Sequence, residues 1–280
     1  MGISSKFVKK WIAGETIEDA IQAGKEANER GVFALLDIVG EHRLRASKMY
    51  EAEIDYIQLL RLIESNKLKA GISLKLTQLG LDADPIACYE YIGNIAKQAS
   101  KRKIFVWIDM EDAKYTEDTI KIYSALYKKF KSIGLCVQAN LKRSEEDLIN
   151  LLKQKANIRL VKGAYKETEE IAYQGYGDIQ DQFSKLMKIL FQKGDNFAIA
   201  THDKKLVEEA IKLQKKWKRK IEFQFLKGVR GKMKWDLVGD GYKVAEYIPF
   251  GENWYPYFKR RLMERKRNAL LIARSVLDQG

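Results

Sequence analysis

The chain has 280 residues, 46% of them hydrophobic and only three of them proline, which supplies one sizeable core and no break in composition that marks a linker. Its 51 basic and 38 acidic residues give a formal charge of +13, but the one dense basic run, "KLQKKWKRK" (212–220), has no RNA-binding signature around it and reads as a solvated helix end, so no nucleic-acid partner is expected. Two cysteines and two histidines exclude a structural zinc site, no metal is expected elsewhere, and the absence of a leader peptide or a ~18-residue apolar run points to a reduced, cytoplasmic setting in which only peripheral membrane contact remains open.

The first predicted element is a helix over "ETIEDAIQAGKEANERG" (15–31), part of a short N-terminal helical extension over 1–30. Eight β-branched or aromatic runs follow: "GVFALLDIV" (31–39), "GISLKLTQLG" (71–80), "KIFVWIDMED" (103–112), "GLCVQANL" (134–141), "NIRLVKGAY" (157–165), "FAIATHD" (197–203), "IEFQFLKGV" (221–229) and "YKVAEYIPFG" (242–251). Segments such as "DPIACYEYIGNIAKQASKR" lie between them, with apolar residues three and four apart as on one helix face. Eight strand and helix pairs in one domain over 1–280 predict a (β/α)₈ barrel of the TIM type. An open doubly wound sheet is the alternative, but no G-x-G-x-x-G follows any strand. Pro256 begins a closing C-terminal helix over 253–276, and Arg260 and Arg261 near its start read either as a solvated basic face or as a fork for an anion.

Strands buried on both sides are expected to be almost wholly apolar, yet these carry Asp37, Lys75, Asp109, Gln138, Arg159, Thr201 with His202, Gln224 and Tyr247, placed by the sequence toward their C-terminal ends. That end of a barrel is where active sites are built. In "ISLKLTQL" a period of two separates Ile72, Leu74 and Leu76 from Ser73, Lys75 and Thr77, and the same parity aims Arg159 inward. In "EFQFL" it turns Glu222, Gln224 and Leu226 together. A buried cation needs a counter-charge, so Lys75 and Arg159 call for Asp37, Asp109 or a bound anion. There is no G-x-S-x-G, H-E-x-x-H or Walker loop, which leaves serine hydrolysis, zinc peptidase chemistry and P-loop phosphoryl transfer without support.

The motifs "SLKLTQLGL", "IDMED", "RLVKGAY", "ATHD", "EFQFLKGVR" and "YIPFGENWYPYFKRRLMER" resemble the proline dehydrogenase family, in the family's order and over about residues 11 to 276. The resemblance implies a distorted (β/α)₈ barrel that holds FAD without a Rossmann motif. It implies oxidation of L-proline to Δ1-pyrroline-5-carboxylate, the first step of proline catabolism, by hydride transfer to flavin N5, with electrons passed to a quinone. Carried over position by position, it places Lys75, Asp109, Tyr247, Tyr257, Arg260, Arg261 and the apolar Leu226 around proline, with Asp109 and Arg159 given catalytic roles. It places Met110, Gln138, Arg159, Lys162, Gly163, Ala164, Thr201, His202 and Gln224 around FAD, and Glu264 behind the arginines. Asp37 and Glu222 match no such position and keep a structural reading. The family's usual helices ahead of the barrel have little counterpart here, so no oligomeric state is assigned. Two rival readings are a Schiff-base lyase working through Lys75 or Lys162, and a polyanion-binding barrel resting on net charge.

Overall fold

A computed structural model describes residues 10–40, 42, 45–252 and 254. Helix α1 (Ile17–Glu29) leads into eight strands, the first seven each followed by a described helix: β1 (Phe33–Ile38), α2 (Ala46–Ser65), β2 (Ala70–Leu74), α3 (Pro85–Lys101), β3 (Val106–Ile108), α4 (Thr116–Lys129), β4 (Ile133–Gln138) and α5 (Ser144–Lys153) form the first half. The second half is β5 (Ile158–Val161), α6 (Tyr176–Lys193), β6 (Phe197–Ala200), α7 (Lys204–Trp217), β7 (Glu222–Leu226), α8 (Gly231–Gly239) and β8 (Lys243–Phe250). All eight strands are parallel and the sheet closes through β8 on β1, which rules out the open-sheet alternative. The expected 253–276 helix lies outside the described residues apart from Trp254.

Local chemistry sets the ends of these elements. Thr16 caps α1 in a reciprocal box with Asp19, and Asp84 caps α3 ahead of Pro85. Five helices leave by the same turn, in which one residue past the cap takes a positive φ and the next, apolar residue bonds back to the last helical turn. Glycine takes the positive-φ place at Gly31 and Gly241, but lysine takes it at Lys67, Lys103 and Lys155. A lysine there meets the left-handed cost of a Cβ, about 1–2 kcal/mol, offset only in part by its charge at the negative end of a helix dipole.

The barrel has two apolar layers. Leu36, Ile72, Leu74, Val106, Leu135, Leu160, Ile199 and Ile248 face the helices, and Leu35, Trp107, Ala198 and Ala245 fill the interior with Phe33 and Phe105 below them. A Cβ on Gly134 would sit 2.4 Å from the Trp107 ring, so the small residue on β4 makes room for the large one on β3. Above this plug the inward positions turn polar, and the site begins there.

Candidate active site

Strand parity gives the right face but the wrong height for several residues. Lys75 and Asp109 lie just past β2 and β3, whereas Arg159 is the second residue of β5, Gln224 the third of β7 and Tyr247 the fifth of β8. The strands run from three to eight residues and are staggered around the barrel, so equal height does not mean equal position along a strand. Arg159 reaches the level of Asp109 through the length of its side chain.

These residues form one buried cluster. The Lys75 ammonium donates to Asp37 Oδ1 at 3.0 Å, to Asp109 Oδ2 at 3.0 Å and to the Tyr247 hydroxyl at 3.1 Å, and Tyr247 donates to Asp109 Oδ2 at 2.8 Å. On the other side, Arg159 Nη2 donates to Asp109 Oδ1 at 2.5 Å and to Ser73 Oγ at 2.7 Å, its Nε to Cys136 Sγ at 2.7 Å, and its Nη1 to Gln224 Oε1 at 3.3 Å. Lys75 and Arg159 are 1% and 3% exposed, so pairing is obligatory. Two cations face two carboxylates, and the cluster is neutral.

The two aspartates divide unequally. Burial pushes both carboxyls up, but Lys75 and Arg159 together overcome it at Asp109 and hold that group well below the usual carboxylate range. At Asp37 burial wins, because Lys75 is shared and the Asp109 charge adds to the penalty, and the carboxyl is pushed up to about 6. Burial likewise raises the Cys136 thiol to about 12, despite Arg159 beside it. Asp37, to which the family resemblance gives no site role, is a carboxylate that parity offers Lys75, and it stands in the cluster as that partner.

Around it, the ends of β4 to β7 form a half-exposed shelf. Gln138 Nε2 donates to the Glu111 carbonyl at 2.8 Å, which leaves its own carbonyl oxygen to accept. His202 Nε2 accepts the Leu226 N–H at 3.0 Å, so the neutral ring carries its proton on Nδ1. Lys162 pairs with Asp203 at 2.8 Å, and Tyr176, whose ring lies under the ammonium, donates to the same carboxylate oxygen. Met110, Gln138, Thr201 and Gln224 are buried beneath, while Lys162, Gly163, Ala164 and Leu226 stand half-buried at the rim. Leu226 also packs with Trp11, Ile12 and Val229. Glu222 donates nothing but accepts Gln224 Nε2 at 2.8 Å below the cluster, consistent with a structural place.

Gly163 has φ +100°, and a Cβ there would sit 1.8 Å from Asn140 Oδ1. That oxygen is buried and has no hydrogen-bond partner. Gly163→Ala is expected to cost about 1–3 kcal/mol of stability, read as a lower denaturant midpoint, with Asn140→Ala restoring the steric part. An unchanged midpoint would show that the loop bends freely. Asp203, Asn140 and Glu111 are not singled out by the sequence, although Asp203 lies within "ATHD" and Glu111 within "IDMED", whereas Ser73 is placed by parity on the inward face with Lys75. Tyr257, Arg260, Arg261 and Glu264 lie outside the described residues.

Among the described residues no group of three or more His, Cys, Asp and Glu side chains is placed to hold a metal. Both lysines that a Schiff-base lyase would use stand against carboxylates as ammonium groups.

Comparison with known proteins gives this arrangement its context. The sequence profile described as "Proline dehydrogenase" matches residues 20–274. Proline dehydrogenase 2 of Bacillus subtilis is 35% identical over 279 aligned residues, covering 95% of this chain and 92% of that one. A proline dehydrogenase of Deinococcus radiodurans is 31% identical, covering 97% and 90%. Among solved structures, proline utilization A (PutA) from Bdellovibrio bacteriovorus inactivated by N-propargylglycine superposes with a TM-score of 0.85 at 22% identity, over 92% of this chain and 32% of that longer chain, a likeness of fold. A profile match running from α1 past the last described strand, carried by relatives more than 30% identical along nearly their whole length, places this chain in the proline dehydrogenase family.

Proposed function

We propose that this protein is a FAD-dependent proline dehydrogenase that oxidises L-proline to Δ1-pyrroline-5-carboxylate and passes the electrons to a quinone, the first step of proline catabolism. The observation that carries this reading is the neutral Lys75–Asp109–Arg159–Asp37 cluster set directly beside a shelf of donors and small residues on β4 to β7. The curated relatives' names support proline as the substrate. A quinone acceptor would bring the protein to a membrane surface; no described helix is long and apolar enough to cross one.

The shelf fits a flat, hydrogen-bonding cofactor. Gly163 and Ala164 offer backbone without bulk, the orphaned Asn140 oxygen lies beside them, and Gln138, Thr201, His202 and Gln224 bring donors and acceptors from β4, β6 and β7. FAD bound there supplies the hydride acceptor, flavin N5. Arg159 and Lys162 lend it positive charge, each tempered by its carboxylate, Asp109 or Asp203. Met110 and the buried plug below keep water from the reacting face. Lys75, Asp109 and Tyr247 form the wall against which proline's ring rests, Leu226 adds an apolar edge, and Arg260, Arg261 and Tyr257, with Glu264 in support of the arginines, would complete the pocket as the family resemblance implies.

The purified protein should be yellow, and acid precipitation should release FAD into the supernatant, because nothing in the shelf suggests a covalent link. Anaerobic proline should then bleach the flavin absorbance. Protein that stays colourless with excess FAD, or a bound flavin that proline leaves oxidised, overturns this reading.

A further inference from the structure

The amine of proline enters protonated, and a ring nitrogen that carries four bonds has no electron pair to support loss of hydride from the neighbouring carbon. A proton must leave first. Tyr247 and Asp109 touch the Lys75 ammonium from the mouth side of the cluster, but Asp109 is bonded to Lys75, Arg159, Ser73 and Tyr247 together, which leaves it a poor proton acceptor. Asp37 differs. It is fully buried on β1, leans on a single cation and receives that cation through both of its oxygens, at 3.0 and 3.2 Å.

Resting on the proline-oxidation reading, we propose that Asp37 is the terminal acceptor of the substrate's amine proton, reached through Lys75. Lys75 first passes one N–H proton to Asp37: the Nζ–H bond breaks, its electron pair stays on nitrogen, and an O–H bond forms on the carboxylate. Rotation about Cε–Nζ turns the freed lone pair toward the mouth, where it takes a proton from the substrate ammonium. The substrate's N–H electron pair remains on its ring nitrogen, ready to support hydride loss. Lys75 ends as it began, and the one net change is that Asp37 is protonated.

Charge favours the sequence. The cluster is neutral when zwitterionic proline arrives; after the transfer it carries one positive charge, set against a substrate that retains only its carboxylate. The charge gained in the buried region faces the substrate's carboxylate, which limits the cost that an unpaired charge would carry there. The groups facing Asp37 are Lys75 beyond β2, Asp109 beyond β3 and Tyr247 on β8, with Arg159 behind Asp109; burial, joined by the Asp109 charge, lifts the Asp37 carboxyl to about 6 against the opposing pull of Lys75 and Tyr247. A resting carboxylate above that pH is poised to accept a proton.

The test is anaerobic stopped-flow reduction of the bound flavin across pH, with parent protein and Asp37→Asn, using proline and thiazolidine-4-carboxylate. The ring sulfur makes the second amine much less basic, so it arrives largely deprotonated. In the parent, the rate with proline should fall as pH drops through the Asp37 range. Asp37→Asn should slow proline at neutral pH by at least about tenfold, since positioned acid–base groups contribute on the order of 10²–10⁴. Its rate should climb with pH without a plateau, as bulk water takes over. The sulfur analogue should lose far less. A parent-like profile, or an equal loss for both substrates, overturns the assignment. If Asp37→Asn does not retain FAD, Asp37→Glu decides: the acidic limb must persist but move, and a limb that stays in place excludes position 37. A parent protein whose flavin neither substrate bleaches contradicts the proline-oxidation reading instead.

Discussion

Asp109→Ala is expected to lower folding stability by about 3–5 kcal/mol, the range seen when one partner of a buried ion pair is removed, and to lower kcat/KM for proline together with it. The carboxylate accepts from Lys75, Arg159, Ser73 and Tyr247 at 3.0, 2.5, 2.9 and 2.8 Å. Without it, two nearly inaccessible cations face each other with one shared carboxylate, Asp37, left to balance both. They must repel, admit water or swing away, and each outcome moves the wall against which the substrate rests. Lys75→Met should cost less in stability than Asp109→Ala, because Asp37, already raised to about 6, can take up a proton and become neutral. In the double variant the misplaced lysine is gone, so the combined loss should fall well short of the sum. Strictly additive losses in kcat/KM would mean that Lys75 and Asp109 act on separate steps, and the shared-ammonium geometry would lose its meaning for catalysis.

Much of this cluster is legible in the sequence, and the reason is parity. A strand whose neighbours at i±1 are Leu74 and Leu76 has only one face left for Lys75, and the same holds for Arg159 between Ile158 and Leu160. What parity cannot supply is which inward residues meet. Asp37 and Lys75 lie on adjacent strands, but Arg159 meets Ser73 and Asp109 across the barrel interior, and no periodicity within one strand encodes a chord across a closed sheet. Strand stagger is equally invisible, and so Arg159 and Gln224, one and two residues from the start of their strands, read as lying at the ends. Asp203 was passed over for a different reason. It caps α7 by accepting the Lys205 N–H, an ordinary duty for an aspartate at a helix start, and its second task of holding Lys162 shows only in three dimensions. The glycine-free exits at Lys67, Lys103 and Lys155 belong to the same class: the apolar residue that follows each is the readable mark of the turn.

The neutrality of the cluster bears on the residues beyond it. Lys75, Arg159 and Lys162 all carry carboxylate partners, so none of them brings an unmatched charge to meet the carboxylate of proline. That counter-charge must come from elsewhere, and Arg260 with Arg261, in the stretch "YPYFKRRLMER", are the candidates. Two guanidiniums can grip one small carboxylate through several N–H bonds, a geometry that lysine does not reproduce. Glu264 follows Arg260 by four positions, the spacing at which it would hold that arginine if the sequence-predicted helix runs through both. Arg261→Met is therefore expected to lower kcat/KM for proline by about 2–5 kcal/mol, as for one arm of a desolvated, charge-assisted pair. The control is pyrrolidine, which keeps the oxidisable ring and amine but lacks the carboxylate. Its much slower oxidation should be nearly unaffected by the same substitution, because it never drew on that contact. Equal losses for both substrates would place Arg261 in the support of the fold or of the flavin, and the carboxylate would need another partner.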